Sequence, residues 1–266
     1  MSASFGAPVS LGALFRIQLR VIGALILREL MTRFGRQGIG FLAVFIEPVL
    51  WVAAIVALRY FFRGSFRTDL PIFVFAFVSV VPFLMFRYIL MRSVGAIAAN
   101  SSLLYHRRVT LLDVILARNL LELAVVMAIV LAGTAIAIAY FGEWPENMFQ
   151  FCAVLLMSAL LANGAGLLLG AFSAVSRAAA AASRLIVLGI IITSGKFWLM
   201  QDMPPDFRDA LLWHPLVSIN EALRDAYFGA RLRSYYDLPY VAAWILGLNL
   251  IALLAVRVVR RHLRLG

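Results

Sequence analysis

Hydrophobic residues occur along this chain in runs of about 20, separated by short polar and basic segments. A helix of that length can cross the roughly 30 Å hydrocarbon core of a bilayer. The pattern predicts six membrane-spanning helices, at residues 40–62, 71–91, 114–141, 149–174, 183–201 and 239–257. The sequence therefore indicates an all-α polytopic membrane protein that forms a single domain over residues 1–266.

The first apolar segment, residues 11–34, is interrupted by arginines at roughly four-residue steps, which predicts an amphipathic helix that lies in the membrane interface. Its charged positions are Arg16, Arg20, Arg28, Glu29 and Arg33. Glu29 and Arg33 are spaced to form an i,i+4 ion pair. A helix that simply packs on the bundle is the alternative interpretation.

The segment 202–238 is too polar to span a membrane and too apolar to lie free in water. It mixes prolines and aspartates with short apolar patches. Irregular backbone at membrane depth has to be covered by protein. We therefore expect one or two short helices that re-enter the interface from the outer side.

The segment 95–112 is a polar and basic island between the second and third predicted spans. It combines a cap-like polar pair, an apolar patch and a basic cluster, which predicts a short capped helix. Its candidate residues are Asn100, Ser101, Leu103, Leu104, Tyr105, Arg107 and Arg108. A helix held between two spans can transmit force to a cytoplasmic partner.

Composition and charge support a membrane protein and set its orientation. The chain is 64% hydrophobic, against 45–50% for usual soluble domains, and its net charge is +11. The basic residues are scattered along loops and span ends, which argues against a nucleic-acid-binding surface. With both termini in the cytoplasm, fifteen basic residues lie inside and eight outside. The positive-inside rule favours that orientation.

The sequence contains no motif for energy conversion, catalysis or metal binding. A single cysteine and three distant histidines give no metal-ligand spacing. The stretch Thr193-Ser194-Gly195-Lys196 is followed by Phe197, where a phosphate-binding P-loop needs Ser or Thr. We therefore predict no cofactor and no enzymatic activity in this chain. Energy for work against a gradient would have to come from another subunit.

Charged residues inside predicted spans are the remaining candidates, because ionisable groups at membrane depth are costly and often functional. They are Glu47, Arg87, Arg118, Glu122 and Lys196. Structural roles are the alternative. Arg118 and Glu122 are spaced to pair with each other, and Glu47 could accept a hydrogen bond from a backbone donor freed by Pro48.

Several short motifs, in order, resemble the membrane-spanning permease subunits of type 2 ABC exporters of capsular polysaccharide, the KpsM type. The resemblance covers nearly the whole chain and rests on the order and spacing of weak motifs. These are residues 27–35 (LRELMTRFG), 47–48 (EP), 92–100 (RSVGAIAAN), 117–118 (AR) with 121–122 (LE), and 214–217 (HPLV).

The resemblance implies a bacterial inner-membrane location and several partners. Two copies of the chain would pair with two copies of an ABC ATPase, which would bind ATP and Mg. Residues 100–108 would form the coupling helix that docks on that ATPase, and the dimer would enclose a conduit for a lipid-linked acidic polysaccharide. Membrane lipids and periplasmic and outer-membrane export proteins complete the implied partners.

The resemblance also suggests which residues contact the polymer. Candidate conduit residues are Trp51, Tyr60, Trp198, Glu47 and Arg87. Candidate exit-side guides for an anionic polymer are Arg208, Arg224, Arg231 and Arg233. Aromatic residues at span ends also form interface belts, and the outer arginines could instead pair with neighbouring acidic residues.

Three alternatives remain open at the level of sequence. The cargo could be another lipid-linked glycan, such as O-antigen or a teichoic acid. The chain could be a membrane-embedded glycosyl- or acyltransferase with Asp113 or His106 as base, or a passive channel.

Overall fold

A computed structural model describes residues 11–34, 39–61, 70–96 and 110–263, and within these ranges the fold is helical with no β-strand. The long helices are α1 (Leu11–Phe34), α2 (Ile39–Phe61), α3 (Ile72–Val94), α4 (Leu111–Phe141), α5 (Met148–Val175) and α6 (Arg177–Thr193). Two short helices, α7 (Pro205–Leu212) and α8 (Pro215–Phe228), precede the last long helix, α9 (Leu238–Leu263). Single 3-10 turns occupy Met200–Asp202 and Gly229–Arg231.

Five of the helices in the described ranges, α2 to α5 and α9, are long and apolar enough to cross a membrane. The fifth predicted span, at residues 183–201, is not confirmed, because α6 in that region has 17 residues, or about 26 Å of helix. The prediction that this span continues to residue 201 is wrong. The helix ends at Thr193, and Gly195 then adopts a left-handed backbone with φ of +72°, which turns the chain out of the helix.

Helix α3 forms the centre of the bundle. It packs against α2, α4, α5, α6 and α8, and 16 of its 23 residues are buried. Its apolar side chains therefore face protein all round, as expected for a helix that is hydrophobic on every side. The helices around it keep exposed apolar faces, which α9 shows with Leu246, Leu250 and Leu254.

Small residues let α5 approach its neighbours closely. A Cβ atom on Gly166 would lie 2.5 Å from the Ser93 hydroxyl of α3, and one on Gly170 would lie 3.0 Å from the Ser93 carbonyl. The pair Gly166 and Gly170, spaced as in a helix-packing motif, therefore faces the interior of the bundle.

A chain of hydrogen-bonded polar side chains crosses the bundle at the level of Ser93. Ser93 of α3 donates to Asn119 of α4 at 2.7 Å, Asn119 donates to Asn163 of α5 at 2.9 Å, and Asn163 donates to Asn249 of α9 at 3.0 Å. Interhelical hydrogen bonds of this kind stabilise membrane bundles by about 0.6 kcal/mol each. The chain links four helices at one depth and so fixes their register.

Helix α1 has the predicted bounds and packs against α4 and α2. Arg16, Arg20 and Arg28 are exposed on its outer side. An amphipathic helix of this kind can contact the bundle and lipid headgroups at the same time, so its interfacial position stays a prediction.

The segment after α6 folds back into the bundle through α8. Nearly every residue from Leu216 to Phe228 is buried, and α8 packs against α3, α5 and α9. Asn220 of α8 donates to the Ser79 carbonyl of α3 at 3.1 Å. Ser79 lies two turns inside α3, so α8 is covered by protein alongside a membrane-length helix.

Candidate functional site

A group of five charged residues connects α1, α3 and α4, and we call it the ionic cluster: Glu29, Arg33, Arg92, Arg118 and Glu122. Glu122 is 3% exposed, and it accepts a hydrogen bond from Arg33 at 2.6 Å and lies 3.1 Å from the Arg92 Nε atom. Arg118 lies 2.9 Å from Glu29 and donates to the Arg92 carbonyl at 3.3 Å. The cluster therefore holds three helices together by charge-assisted contacts.

The two pairings that sequence spacing suggested are replaced by contacts between helices. Arg118 pairs with Glu29 rather than with Glu122, and Glu122 pairs with Arg33. These partners are 89 residues apart in the sequence. Each helix has the i,i+4 spacing, but the packing of α1 against α4 places the opposite charges in contact across the interface between the two helices.

The ionic cluster lies at the base of the connection between α3 and α4. Arg92 is in the last turn of α3, and Arg118 and Glu122 lie about two and three turns from the start of α4. The connection carries the predicted coupling residues, and these fall outside the described residues: Asn100, Ser101, Leu103, Leu104, Tyr105, Arg107 and Arg108. Their docking role stays a prediction.

The first turn of α4 is closed by a complete capping box. Asp113 donates its backbone N–H to the Thr110 hydroxyl at 3.3 Å, and its carboxylate accepts from the Thr110 backbone N–H at 2.8 Å. Gln18 of α1 also donates to the Asp113 carboxylate. Reciprocal caps of this kind stabilise a helix start by about 0.5–2 kcal/mol. The end of α4 nearest the coupling segment is therefore tied to α1.

A second ion pair joins α2 to α3. Arg87 contacts the Glu47 carboxylate, to which the Trp51 indole N–H also donates at 3.3 Å. The Glu47 carboxylate therefore has a cation and an indole as partners, and the expected hydrogen bond from a backbone donor freed by Pro48 stays a prediction. The pair lies in a cavity of about 360 Å³ that also contains Arg33, Arg92 and Glu122 of the ionic cluster.

The aromatic conduit candidates occupy different environments. Trp51 is half-buried and packs edge-on against Phe83, with ring centroids 5.1 Å apart. The Lys196 ammonium lies 3.9 Å from the Trp51 ring. Tyr60 is 58% exposed and Trp198 is 41% exposed. Their contact with a polymer stays a prediction.

Helix α8 contains a fully buried ion pair. Arg224 is 1% exposed and donates to the Glu221 carboxylate at 2.7 Å. It also donates to the Ser79 hydroxyl at 3.0 Å and to the Trp198 and Gly195 carbonyls at 2.8 Å each. Arg224 therefore cannot guide a polymer from the surface, and this part of the prediction is wrong. It instead fastens α8 to α3 and to the turn after α6.

The other three predicted guide residues remain at the surface. Arg231 forms a two-point ion pair with Glu143 at 2.7 and 2.9 Å, and this pairing lowers the pKa of the Glu143 carboxyl. Arg208 lies 3.5 Å from Asp209. Arg233 is exposed. Arg231 and Arg208 therefore pair with acidic residues, whereas the exposed guanidinium group of Arg233 can donate hydrogen bonds to a ligand.

Sequence reasoning identified the charged residues but missed Arg92 as a member of the ionic cluster. It also missed the Asn119, Asn163 and Asn249 chain. One signal was available for two of them, since Asn163 and Asn249 each stand within a run of small and apolar residues. Polar residues at such positions usually face other helices rather than lipid.

Comparisons with known proteins match nearly the full length of the chain. The family described as ABC-2 type transporter matches residues 20–228. The chain is 36% identical to the capsule polysaccharide export inner-membrane protein CtrC of Neisseria meningitidis serogroup B, over 90% of this chain and 91% of the relative. It is 32% identical to the capsule polysaccharide export inner-membrane protein BexB of Haemophilus influenzae, over 91% of each. It is 27% identical to the polysialic acid transport protein KpsM of Escherichia coli, over 87% of this chain and 90% of the relative.

Proposed function

The chain belongs to the ABC-2 type transporter family, and we propose that it is the inner-membrane permease subunit of an ATP-driven exporter of lipid-linked acidic capsular polysaccharide. The observation that carries this proposal is the near full-length similarity to inner-membrane proteins of capsule polysaccharide export. Five membrane-length helices in the described ranges fit a permease. The chain is a transport subunit and not an enzyme, so the transferase alternative is not favoured.

Membership of this family implies partnership with an ATPase subunit. We propose a complex of two copies of this chain with two copies of the ATPase, which holds ATP and Mg. The absence of a P-loop in the sequence supports a separate source of energy. Periplasmic and outer-membrane export proteins would receive the polymer.

We further propose that the ionic cluster transmits movement of the 97–109 connection to α1. A displacement of the ends of α3 and α4 has to carry α1 along or break the contacts of Glu122 and Arg118. Breaking a buried ion pair by losing one partner costs about 3–5 kcal/mol. Movement of α1 with α4 is therefore the lower-energy response, and it would open the cavity that Glu47 and Arg87 share with the cluster.

The experiment compares Arg33→Gln with Arg28→Gln in the complex with its ATPase. Arg33 contacts buried Glu122, whereas Arg28 is exposed on the same helix. We expect both variants to co-purify with the ATPase and to retain nucleotide hydrolysis. Arg33→Gln should lose about tenfold or more of polymer export, because one inter-helix contact worth at least 1.4 kcal/mol is removed. Arg28→Gln should export like the wild type.

Two results would contradict the proposal at separate levels. Failure of the wild-type chain to bind an ATPase subunit, or export of a neutral glycan only, would refute the assigned function. Normal export by Arg33→Gln would refute the role of the ionic cluster and leave the assigned function standing. Arg33→Lys, which keeps the cation, should recover export if charge rather than packing carries the effect.

A further inference from the structure

We propose that an outer cleft between α7, α8 and the start of α9 binds sugar residues of an anionic glycan. We call it the exit cleft and define it by Trp213, Tyr235, Tyr236 and Tyr240 with the carboxylates Asp209 and Asp237. The identity of the glycan as exported polymer rests on the proposed function. The binding chemistry is argued from the cleft alone.

The exit cleft has the size and the lining of a ligand site. Its volume is about 490 Å³, within the range of about 300–1,000 Å³ that is usual for small-molecule sites. Aromatic rings form much of its wall, and carboxylates and serine hydroxyls supply a few polar groups. Trp213 is 78% exposed, so a large apolar ring stands open to an incoming ligand.

Hydrogen bonds hold the side chains of Tyr236 and Tyr240, and the backbone at Trp213 and Tyr235, in place before any ligand arrives. The Tyr240 hydroxyl donates to the Trp213 carbonyl at 2.7 Å, which ties α9 to the end of α7. The Tyr236 hydroxyl donates to Asp225 of α8 at 2.8 Å. The Tyr235 backbone N–H donates to buried Glu221 at 3.3 Å. Side chains fixed in this way lose little conformational entropy when they bind.

The groups in and around the cleft match the two chemistries of an acidic sugar. Aromatic faces pack against the apolar C–H faces of a pyranose ring, and carboxylates accept hydrogen bonds from its hydroxyl groups. The guanidinium groups of Arg208 and Arg233 lie 4.1 and 5.4 Å from the centre of the Tyr235 ring. Arginine in this position can donate two parallel hydrogen bonds to a sugar carboxylate.

The arrangement differs from an aromatic belt at a membrane interface. Belt residues place their rings among lipid headgroups. Trp213 instead borders a concave site that it shares with Asp209 and Asp237, whose carboxylates can accept hydrogen bonds from sugar hydroxyl groups. A site with carboxylates inside and arginines at its rim favours a ligand that carries both hydroxyl groups and carboxylates.

The experiment measures binding to the purified permease alone, in phosphatidylcholine nanodiscs, by isothermal titration calorimetry. The probe is an oligogalacturonide of four uronic acid residues, and the comparison is a neutral maltotetraose. We expect the wild type to bind the acidic probe more tightly. Trp213→Ala and Tyr235→Ala should each weaken binding by about tenfold, as for aromatic residues at the centre of a binding site. Arg233→Gln should remove most of the preference for the acidic probe.

Trp144→Ala is the matched control. Trp144 is also exposed, at 60%, in the outer connection between α4 and α5, and it is not part of the exit cleft. This variant should bind the probe like the wild type, and circular dichroism should show the same helix content for all variants. The fluorescence difference between the wild type and Trp213→Ala isolates Trp213 from the other four tryptophans, and brominated lipid should quench that difference weakly.

Three outcomes would overturn the exit cleft. They are no binding of either sugar by the wild type, unchanged binding by Trp213→Ala and Tyr235→Ala, and strong quenching of Trp213 by brominated lipid, which would identify an interface belt. Because the ATPase is absent from the assay, these outcomes are independent of the partner complex. Sugar binding without any ATP-dependent export would refute the proposed function and leave the cleft standing.

Discussion

Replacing Arg224 with glutamine should destabilise the protein more than any exposed arginine replacement. The Arg224 side chain is 1% exposed and donates to one carboxylate, one hydroxyl and backbone carbonyls of the turn after α6. Glutamine is shorter and neutral, so it leaves the Glu221 carboxylate buried without its cation. The cost of leaving one buried charge unpaired is about 3–5 kcal/mol.

That cost converts into a large change in thermal stability. For a chain of this size, about 1 kcal/mol corresponds to roughly 2–4 °C in the midpoint of unfolding. We therefore expect Arg224→Gln to lower the midpoint by about 6–20 °C. The measurement is thermal unfolding of the purified chain in detergent, followed by intrinsic fluorescence. Arg257→Gln, an exposed site on α9, is the control and should shift the midpoint by less than about 2 °C.

A second substitution separates the unpaired charge from lost packing. In the double variant Glu221→Gln with Arg224→Gln, neither charge remains, so at least half of the stability lost in the single variant should return. A shift for Arg224→Gln no larger than for Arg257→Gln would refute the reasoning. Failure of the double variant to recover stability would show that the hydrogen bonds to Ser79 and the backbone, rather than the ion pair, hold α8.

Three further predictions follow from other parts of the bundle. Gly133→Ala places a Cβ within 2.1 Å of the Phe77 ring and should lower the free energy of unfolding by about 1–3 kcal/mol, measured by thermal unfolding. The control Gly189→Ala has open space around its Cβ and should be neutral or slightly stabilising. Equal effects of the two variants would contradict the packing of Gly133 against Phe77. Burial lowers the pKa of His214 below its usual 6.5, so the folded state loses stability as the pH falls below that value. The unfolding midpoint should fall less between pH 7 and 5 in His214→Gln, and an unchanged slope would exclude this histidine. Asn163→Leu interrupts the polar chain and should cost about 0.6–2 kcal/mol, measured against the wild type in the same unfolding assay; an unchanged midpoint would show that the chain adds no stability.

The helix positions were predictable because each long helix is a long apolar run. The predicted starts and ends of the helices differ from the structure by a few residues, except for α6. Its end depends on Gly195, whose left-handed backbone stops the helix inside a hydrophobic run. Hydropathy does not register such a turn, because the apolar residues 197–200 (FWLM) extend the predicted span past Gly195 and Lys196.

The pairing of charges was less predictable, because it depends on contacts between distant segments. Glu29 and Arg33 have suitable spacing within α1, yet they contact Arg118 and Glu122 of α4. Arg224 was predicted to be an exit-side guide because it belongs to the segment 202–238, which is too polar to span a membrane. A better signal was Glu221 three residues before it, since an acidic and a basic residue at i,i+3 within an apolar helix can pair and be buried together.

Helix α4 is long, and its first turn is capped, so in the proposed mechanism it could tilt as one rigid element. Its 31 residues extend about 46 Å, longer than the hydrocarbon core that it has to cross. The capping box at Thr110 resists unwinding of the first turn, so in the proposed coupling mechanism a push on the segment before α4 would tilt the helix instead of fraying it. A tilt of about 5° about one end would move the far end by about 4 Å, or roughly three-quarters of the pitch of one helical turn. The displacement at the far end of α4 would therefore depend on the length and stiffness of the helix, and a single helix-breaking residue near its middle would shorten it.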